Sequence, residues 1–399
     1  MVLKNINRLS ILNYIRRHKF TTKAAIATES GLTFMAIQKI IEELLAHGLV
    51  RQDAYEGGRL GRKALTYTID ENYGYTIGLH INMFETRVGL LNLNGEILLH
   101  KSLNMTGLSE DSSVFIDSIT TMVNALITEK GIDKSKLLGL GIGVPGPVNT
   151  AEGRIMSPPN MKMLRYMPLR QIMEQKTGLP VLLHKDTNAI AMGEYWRGVG
   201  ASYSDMVYID ADMGIGSGLI LSGVLHEGAN SIAGEFGHIT IDPHGPLCNC
   251  GSQGCLEAMG SGISILKEFK SRLAERPGHP LASCAETLTI QQVLNAGASG
   301  DPLAVSILNE AAYNMGSAIR NLINILDPEI IILGGILTLQ YEPYFTIVKE
   351  TTLHKRLAGS RENLLVPTTN ADHAGMIGAG ELVADHFFST LVNEILLKD

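Results

Sequence analysis

The spacing of apolar residues predicts three short helices at the beginning of the chain. Over residues 6–15, apolar side chains recur at every third position, which places them on one face of a helix. A second helix is expected after Thr22, and a third between Thr33, a good capping residue, and Gly48. A turn at Gly31 separates the last two helices, so the order of elements is that of a helix-turn-helix.

The segment LVRQDAYEGGRLGRKALTYTID then predicts a strand, a glycine-rich turn with basic residues, and a second strand, which together make a wing. We expect the third helix to enter the major groove, where Gln38 can read adenine and Lys39 can reach guanine or phosphate. The basic tip of the wing would contact phosphates or the minor groove. The candidate DNA-binding residues are Thr33, Gln38, Lys39, Arg59, Arg62 and Lys63. The alternative is a three-helix module that binds protein.

The remainder of the chain follows a different pattern. From Tyr75 onwards, apolar segments punctuated by glycine, such as YTIGLHI, LLGLGIGVPGPV and PEIIILGGIL, have the length and composition of buried strands. Segments with helical spacing, such as FIDSITTMVNALITEKG, separate several of them. The alternation of strands and helices predicts an α/β fold.

Composition and charge narrow the class of protein. A chain of 399 residues exceeds the usual size of one core, so two or three domains are expected. The sequence has neither a run of 18 apolar residues nor a signal-peptide pattern, and its four cysteines suit a reducing cytoplasm. Residues 1–70 carry a net charge of +5 and the remainder carries −12. This asymmetry favours a basic, nucleic-acid-binding module fused to an acidic body, although a solvated basic face gives the same count.

Three of the four cysteines lie within eight residues of one another, downstream of a histidine. The spacing of His238, Cys248, Cys250 and Cys255 is H-x9-C-x-C-x4-C. Three thiolates and one imidazole are a tetrahedral ligand set for zinc. Because the protein supplies all four ligands, we interpret the metal as structural and not catalytic. The alternative is a group of reduced core cysteines without a metal.

These residues also carry a resemblance to a known family. The segments AGEFGHITI and CNCGSQGCLE resemble the zinc signature of the ROK family (repressors, open reading frames and kinases), and HKDTNAIAMGEYWRG resembles its catalytic segment. The winged helix is similar to the repressor branch, which includes xylose-type and N-acetylglucosamine-type repressors. The resemblance implies an actin-like (ribonuclease H-like) sugar-kinase fold with two lobes. The implied domains are a winged helix over 1–72 and a ROK domain over 73–399, with lobes at 73–190 plus the C-terminal helix and at 191–375, and a zinc loop at 238–255.

The resemblance further implies a sugar site between the lobes. The positions that match the family's sugar ligands are Asn160, Lys185, Asp186, Glu235, His238 and Glu257. Carboxylates and imidazole suit sugar hydroxyls, which both donate and accept hydrogen bonds. His238 would place one ring nitrogen on zinc and the other on the sugar, so that the metal fixes its orientation. Lys185 replaces the family's asparagine, and it could pair with Asp186 or reach an anionic group of an unusual ligand.

The phosphate-binding turns depart from those of the family's kinases. The first turn resembles D-I-G-G-T-K in the kinases and reads HINMFE here, so His80 replaces an aspartate, and Asn82 and Met83 replace two glycines. The second resembles G-T-G-I-G-G-G and reads DMGIGSG, in which Asp212 would repel a triphosphate. Asp186 stands at the position of the catalytic base. Because a kinase must also hold the nucleotide's phosphates, we predict no ATP binding, no enzyme activity and a vestigial Asp186.

The sequence therefore predicts a sugar-responsive transcriptional repressor. Its partners would be operator DNA and a free sugar inducer that releases the DNA, and its only cofactor would be a structural zinc ion. A cytoplasmic homodimer or tetramer without membrane association is expected. Two alternatives stay open: an active ATP-dependent hexose kinase that carries a DNA-binding domain, and a repressor controlled by a protein partner.

Overall fold

A computed structural model describes residues 2–54, 65–105, 111–158, 161–354, 364–369 and 373–394. The chain divides into two compact units, the first made of residues 1–156, 163–189 and 375–399 and the second of residues 157–162 and 190–374. Each unit contains one five-stranded sheet. Within the described residues, the helices are all too short or too polar to cross a membrane.

The first unit begins with the predicted winged helix. Its elements are α1 (Val2–Arg17), α2 (Lys23–Ser30), α3 (Phe34–Ala46), β1 (Val50–Ala54) and β2 (Leu65–Ile69). The side-chain oxygens of Thr22 and Thr33 accept backbone N–H groups one turn into α2 and α3, so both helices begin where the threonines predict. Gly31 has a φ of +63° and ends α2 in the left-handed conformation, which produces the turn before α3. Strands β1 and β2 pair antiparallel as the two arms of the wing.

A mixed sheet with the strand order β5-β4-β3-β6-β9 forms most of the first unit. Strands β3, β4 and β5 are antiparallel neighbours, whereas β6 and β9 run parallel to β3. Strand β6 is buried along nearly all of its length, as expected for a strand covered on both faces. The elements are β3 (Tyr75–Ile81), β4 (Glu85–Asn92), β5 (Ile97–Asn104), α4 (Ser112–Lys130), β6 (Leu137–Val144), β7 (Val148–Asn149), β8 (Arg154–Ile155), α5 (Leu169–Thr177), β9 (Val181–Lys185) and the start of α6 (Asp186–Arg197).

The second unit repeats the same sheet topology. Its strand order is β12-β11-β10-β13-β14, again with three antiparallel strands followed by two that are parallel to the central one. Its helices pack around a core that includes the buried face of the 25-residue helix α10. The elements are β10 (Met206–Ala211), β11 (Ile215–Leu221), β12 (Val224–Leu225), α7 (Leu256–Gly260), α8 (Gly262–Ala274), α9 (Ile290–Ala298), α10 (Pro302–Leu326), β13 (Ile330–Gly334), α11 (Ile336–Gln340), α12 (Glu342–Leu353) and β14 (Leu365–Pro367). Two copies of one α/β layout follow a winged helix, which confirms the predicted fold class.

The last helix, α13 (Ala374–Glu394), connects the sheet of the first unit to the winged helix. Its first half lies directly on the sheet, because a Cβ atom at Gly78 or Gly141 would come within 1.9 or 1.8 Å of a backbone oxygen of α13. Its second half contributes apolar side chains, including Phe388, to the core of the winged helix. The winged helix therefore belongs to the same compact unit as the first sheet. The domain boundary at residue 72 stays a prediction.

A buried ion pair joins the same two elements. The guanidinium of Arg16, at the end of α1, donates to the carboxylate of Glu381 and, at 3.1 Å, to Oδ1 of Asp385, both on α13. The side chains of Arg16 and Glu381 are 0% and 3% exposed, whereas that of Asp385 is 40% exposed. The Arg16 guanidinium also lies 5.2 Å from the centre of the Phe388 ring. A charge of the winged helix is thus neutralised inside the protein by α13.

Candidate functional site

The four residues of the predicted metal site come together in the second unit. The ligand atoms of His238, Cys248, Cys250 and Cys255 all lie within 4.8 Å of one another. His238 Nδ1 is 3.7 Å from Cys248 Sγ, and the sulfur atoms of Cys250 and Cys255 are 3.7 Å apart. The structure therefore contains a four-residue group that could hold a metal ion.

Backbone hydrogen bonds and one glycine shape the loop that carries the cysteines. The N–H of Cys248 donates to the carbonyl of Ser252, and the N–H of Gly251 donates to the carbonyl of Cys248, so this stretch folds back on itself. Gly254 has a φ of +71°, and a Cβ atom there would lie 1.5 Å from the Asp242 carbonyl oxygen. Only glycine fits this position, which brings the last cysteine back to the start of α7.

The donor set and its spacing fit a tetrahedral metal. Zinc–sulfur bonds of about 2.3 Å at tetrahedral angles put sulfur atoms about 3.8 Å apart, close to the separations observed. Without a metal, burial raises the pKa of Cys255 to about 12 and raises that of Cys248. A backbone hydrogen bond from Ser252 instead lowers the pKa of Cys250 to about 7. A divalent cation would stabilise all three cysteines as thiolates, because metal ligands bind deprotonated.

The second ring nitrogen of His238 faces away from the thiols. His238 Nε2 lies 3.8 Å from Oε2 of Glu235, and both side chains are about one third exposed. A short 3-10 helix, Phe236–His238, follows Glu235 and fixes the distance between the two residues. The structure thus places one nitrogen of His238 towards the metal group and the other beside a carboxylate, while its contact with a sugar stays a prediction.

Strand β11 positions the side chains of Glu235, His238 and Glu257. A Cβ atom at Gly237 would lie 2.2 Å from the Ile215 carbonyl oxygen, so the loop that carries His238 rests directly on the strand. The N–H of Ile215 donates to Oε2 of Glu257 at 2.9 Å, which anchors that carboxylate to the same strand. Glu235, His238 and Glu257 are therefore held by one rigid element, which is a favourable way to position ligand-binding groups.

The remaining predicted sugar ligands belong to the first unit or fall outside the description. Lys185 ends β9 with a 7% exposed side chain, and its stem lies over Gly146, whose Cβ position would be 3.2 Å from Cδ of the lysine. Asp186 begins α6, and its Oδ1 accepts the N–H of Thr187 at 2.7 Å. Asn160 lies outside the described residues, so its role stays a prediction.

In the turn between β3 and β4, which corresponds to the first phosphate-binding turn, the side chain of Asn82 accepts hydrogen bonds from the backbone amides. Oδ1 of Asn82 accepts the N–H groups of Phe84 and Glu85, each at 2.9 Å. Glu85 in turn pairs with Arg87 at 2.6 Å. The amides of this turn are hydrogen-bonded within the protein, and such amides are the groups with which phosphate-binding turns hold their ligand.

His80 is the first residue of the segment HINMFE and the last but one of β3. A Cβ atom at Gly375, the second residue of α13, would lie 2.6 Å from the imidazole ring, so the ring packs against the first turn of that helix. Desolvation and the nearby charge of Arg87 lower the pKa of His80 to about 4. At neutral pH the residue is an uncharged packing group.

In the second turn, between β10 and β11, the side chain of Asp212 likewise accepts hydrogen bonds from backbone amides. Oδ1 of Asp212 accepts the N–H of Met213 at 2.6 Å, and its carboxylate accepts a further hydrogen bond from the N–H of Ile336. Burial raises the pKa of Asp212, and these two hydrogen bonds partly offset the rise. The sequence predicts that Asp212 repels phosphate. The structure adds that its carboxylate accepts the N–H of Ile336, the first residue of α11.

The predicted DNA-binding residues that the structure describes lie on α3. Thr33 caps the helix, and Lys39 is exposed. Nε2 of Gln38 donates to Oε1 of Glu42 at 2.9 Å, which orients the glutamine amide on the helix surface. The sequence analysis missed Glu42, although its i, i+4 spacing from Gln38 is a signal for such a pair. The wing residues Arg59, Arg62 and Lys63 lie outside the described residues.

Comparison with known proteins identifies the family. The profile of the ROK family matches residues 76–386. The chain belongs to the ROK family. The predicted resemblance is therefore confirmed, and the match covers both sheets and most of α13.

One relative and two solved structures are similar to this chain over all or most of its length. The xylose repressor of Caldicellulosiruptor bescii is 28% identical over 391 residues, which cover 97% of this chain and 98% of the repressor. A ROK family transcriptional regulator, a homologue of the E. coli MLC protein, superposes over 100% of both chains at 24% identity with a TM-score of 0.79. A ROK family glucokinase from Streptomyces griseus, in complex with glucose and AMPPNP, covers 77% of this chain and 99% of its own at 29% identity with a TM-score of 0.67. The actin-like kinase architecture of the body is thus shared, and the matches to the xylose repressor and to the transcriptional regulator extend over the winged helix as well.

Proposed function

We propose that this protein is a sugar-responsive transcriptional repressor whose winged helix binds operator DNA and whose ROK body binds a free sugar. One observation supports this function above the others. The chain joins a winged helix to a sugar-kinase body in which both phosphate turns are hydrogen-bonded to the protein's own side chains, Asn82 and Asp212. The similarity to a xylose repressor over nearly the whole of both chains agrees with it.

The proposed inducer is a monosaccharide, and its candidate ligands are the residues that match the family's sugar ligands. In the second unit, Glu235, His238 and Glu257 present two carboxylates and an imidazole nitrogen beside strand β11. In the first unit, Lys185 and Asp186 lie at the junction of β9 and α6. Polar groups that both donate and accept are what a polyhydroxylated ligand requires. Asn160 completes the proposed set.

A structural zinc ion is part of the proposal. The residues His238, Cys248, Cys250 and Cys255 would hold it, and their spacing and chemistry fit its tetrahedral preference. The ion would supply the loop with a rigid centre and would keep Nδ1 of His238 occupied. Nε2 is then left to donate a hydrogen bond to Glu235 or to a sugar oxygen. Metal analysis of the purified protein should give one zinc per chain, and a value well below one would contradict the assignment.

We propose that the protein does not phosphorylate its sugar. A kinase cradles phosphates with free backbone amides and compensates their charge with a metal ion. Here the Asp212 carboxylate adds negative charge at the second turn, and His80 cannot ligate Mg²⁺ as an aspartate would. Asp186 could still accept a proton, so the hexose kinase remains the second candidate. Sugar-dependent ADP release that is abolished by Asp186→Asn would establish the kinase.

The proposed regulation couples sugar binding to operator spacing. In a homodimer or tetramer, two winged helices must match two operator half-sites, so a change in their separation weakens specific binding. Sugar can shift this equilibrium only by binding the released state more tightly than the DNA-bound state. The cytoplasm, where operator DNA and a reducing environment for thiolate ligands are both found, is the proposed location.

Fluorescence anisotropy with a labelled duplex from upstream of the protein's own gene tests the function. The protein should bind the duplex in the presence of competitor DNA, and one sugar of a panel of aldoses and ketoses, xylose among them, should release it without ATP. Glu257→Gln should bind the same duplex with unchanged affinity and require a higher sugar concentration for release. Release by the same sugar at the same concentration in Glu257→Gln would contradict the proposed sugar site. Binding that no sugar alters would favour control by a protein partner.

A further inference from the structure

The beginning of α3 exposes two neighbouring apolar side chains. Phe34 is 53% exposed and Met35 is 74% exposed, and they are the first two helical residues after the cap Thr33. The opposite face of α3 is fully committed to the core of the winged helix through Ile37, Ile40, Ile41 and Leu44. The exposed pair thus adds nothing to that core, and its apolar surface remains in contact with water.

The same helix surface carries groups suited to reading bases. Met35, Lys39 and Glu42 follow one another at helical spacing on one exposed face, and Gln38 lies beside them. One N–H of the Gln38 amide donates to Glu42, and the same amide carries an acceptor oxygen and a second N–H. An amide with one acceptor and one donor matches the N6 and N7 edge of adenine.

Thymine is the base that an apolar group on this surface can recognise. In the major groove its C5-methyl group is the one apolar feature among the four base edges, and residues at the beginning of a recognition helix reach those edges. We infer that Phe34 and Met35 contact thymine methyl groups, and that each operator half-site places a thymine beside the A·T pair read by Gln38. The inference rests on the proposed function, because it requires α3 to enter the major groove.

Charge favours DNA over a protein as the occupant of this surface. Residues 1–70 carry a net charge of +5, and Lys39 lies within the patch itself. A module with net positive charge that exposes a hydrogen-bonding amide is complementary to a groove lined by phosphates. The pair Phe34 and Met35 would then supply specificity, while the basic residues would supply most of the affinity.

Removal of single methyl groups from the DNA tests the contact directly. Full-length protein is first used to enrich high-affinity duplexes from a random pool. Each thymine of a half-site is then replaced by deoxyuridine, which keeps base pairing and removes only the methyl group. Burial of one methyl-sized group corresponds to about 0.8 kcal/mol, so wild-type protein should lose about fourfold in affinity at the contacted thymine of one half-site.

The protein variants identify which side chain is responsible. Phe34→Ala and Met35→Ala should bind the thymine duplex more weakly than wild type and should lose their sensitivity to deoxyuridine at one position. Phe20→Ala is the matched control, because Phe20 is an equally exposed phenylalanine of the same module, at 54%. It should keep the wild-type fourfold loss. Thermal melting of each variant should match wild type, since both target side chains are exposed.

The outcomes separate this inference from the proposed function. Specific duplexes in which deoxyuridine has no effect, or has the same effect on wild type, Phe34→Ala and Met35→Ala, would overturn the inference and leave operator binding intact. Such a result would assign the exposed pair to a protein partner. Failure of the full-length protein to enrich any duplex would contradict the proposed function itself.

Discussion

The buried ion pair between Arg16 and Glu381 should be one of the strongest single determinants of stability in the first unit. Both side chains are almost completely inaccessible to solvent, and they join α1 of the winged helix to α13. Arg16→Met removes the cation while keeping much of the apolar stem. It leaves the Glu381 carboxylate buried without its main counter-charge, which typically costs 3–5 kcal/mol, here taken as about 4 kcal/mol.

The structure also predicts an asymmetry between the two single variants. Glu381→Met leaves Arg16 with Asp385 at 3.1 Å, a carboxylate that is 40% exposed and can remain hydrated. The arginine therefore keeps one partner, and we expect a loss of about 2 kcal/mol, half that of Arg16→Met. The double variant contains neither buried charge and fills the space with apolar groups, so it should be more stable than Arg16→Met.

Urea unfolding followed by far-ultraviolet circular dichroism, on wild type, the two single variants and the double variant, completes a double-mutant cycle. Lys19→Met is the matched control. Lys19 pairs with Glu96 at 3.3 Å in the same unit, but these side chains are 66% and 48% exposed, so its loss should be under about 1 kcal/mol. The reasoning fails if Arg16→Met is no more damaging than Lys19→Met, or if the two single losses simply add in the double variant.

Three further predictions concern pH, the metal loop and DNA. The pKa of His80 is about 4 in the folded protein and about 6.5 when unfolded, so stability is full above pH 6.5 and falls as pH decreases towards 4. Between pH 7 and 4.5 the loss should be about 2 kcal/mol by urea unfolding, and His80→Asn should remove that part of the pH dependence. Gly254→Ala should lower bound zinc and melting temperature sharply because its Cβ would collide with the Asp242 carbonyl. Gly251→Ala has the strain of a φ of +92° but open space around its Cβ, so it should lose less zinc than Gly254→Ala, and equal zinc contents would contradict this. Operator affinity should fall steeply between about 50 and 200 mM salt, and an affinity that is independent of salt would contradict phosphate contacts by the winged helix.

Local patterns in the sequence predicted the elements because the interactions behind them are local. The caps at Thr22 and Thr33 need only a side-chain oxygen and an amide three residues away, so residue type and spacing were sufficient. The metal group followed for the same reason, since three of its four residues lie on one short loop and their chemistry is specific. The fourth residue of the group, His238, was identified by its position shortly before the cysteines in the sequence and by the family resemblance.

Interactions between distant parts of the chain could not be predicted in the same way. Arg16 and Glu381 are separated by 365 residues, and hydrophobic spacing does not indicate which charges will pair across a core. At the phosphate turns, the loss of glycine was evident in the sequence. That Asn82 and Asp212 occupy the amides themselves depends on side-chain conformation, which residue identity alone does not specify.

Helix α13 also constrains how this lineage can change its length. It runs without interruption from the glycines of the first sheet to the core of the winged helix. Each residue of an α-helix adds about 1.5 Å and about 100° of rotation, so a single codon inserted between these contacts would turn the second half of α13 away from its partners on α1. Insertions and deletions should therefore accumulate in the surface loops of relatives and be purged from this helix, where only a compensating change of a whole number of turns preserves the docking face.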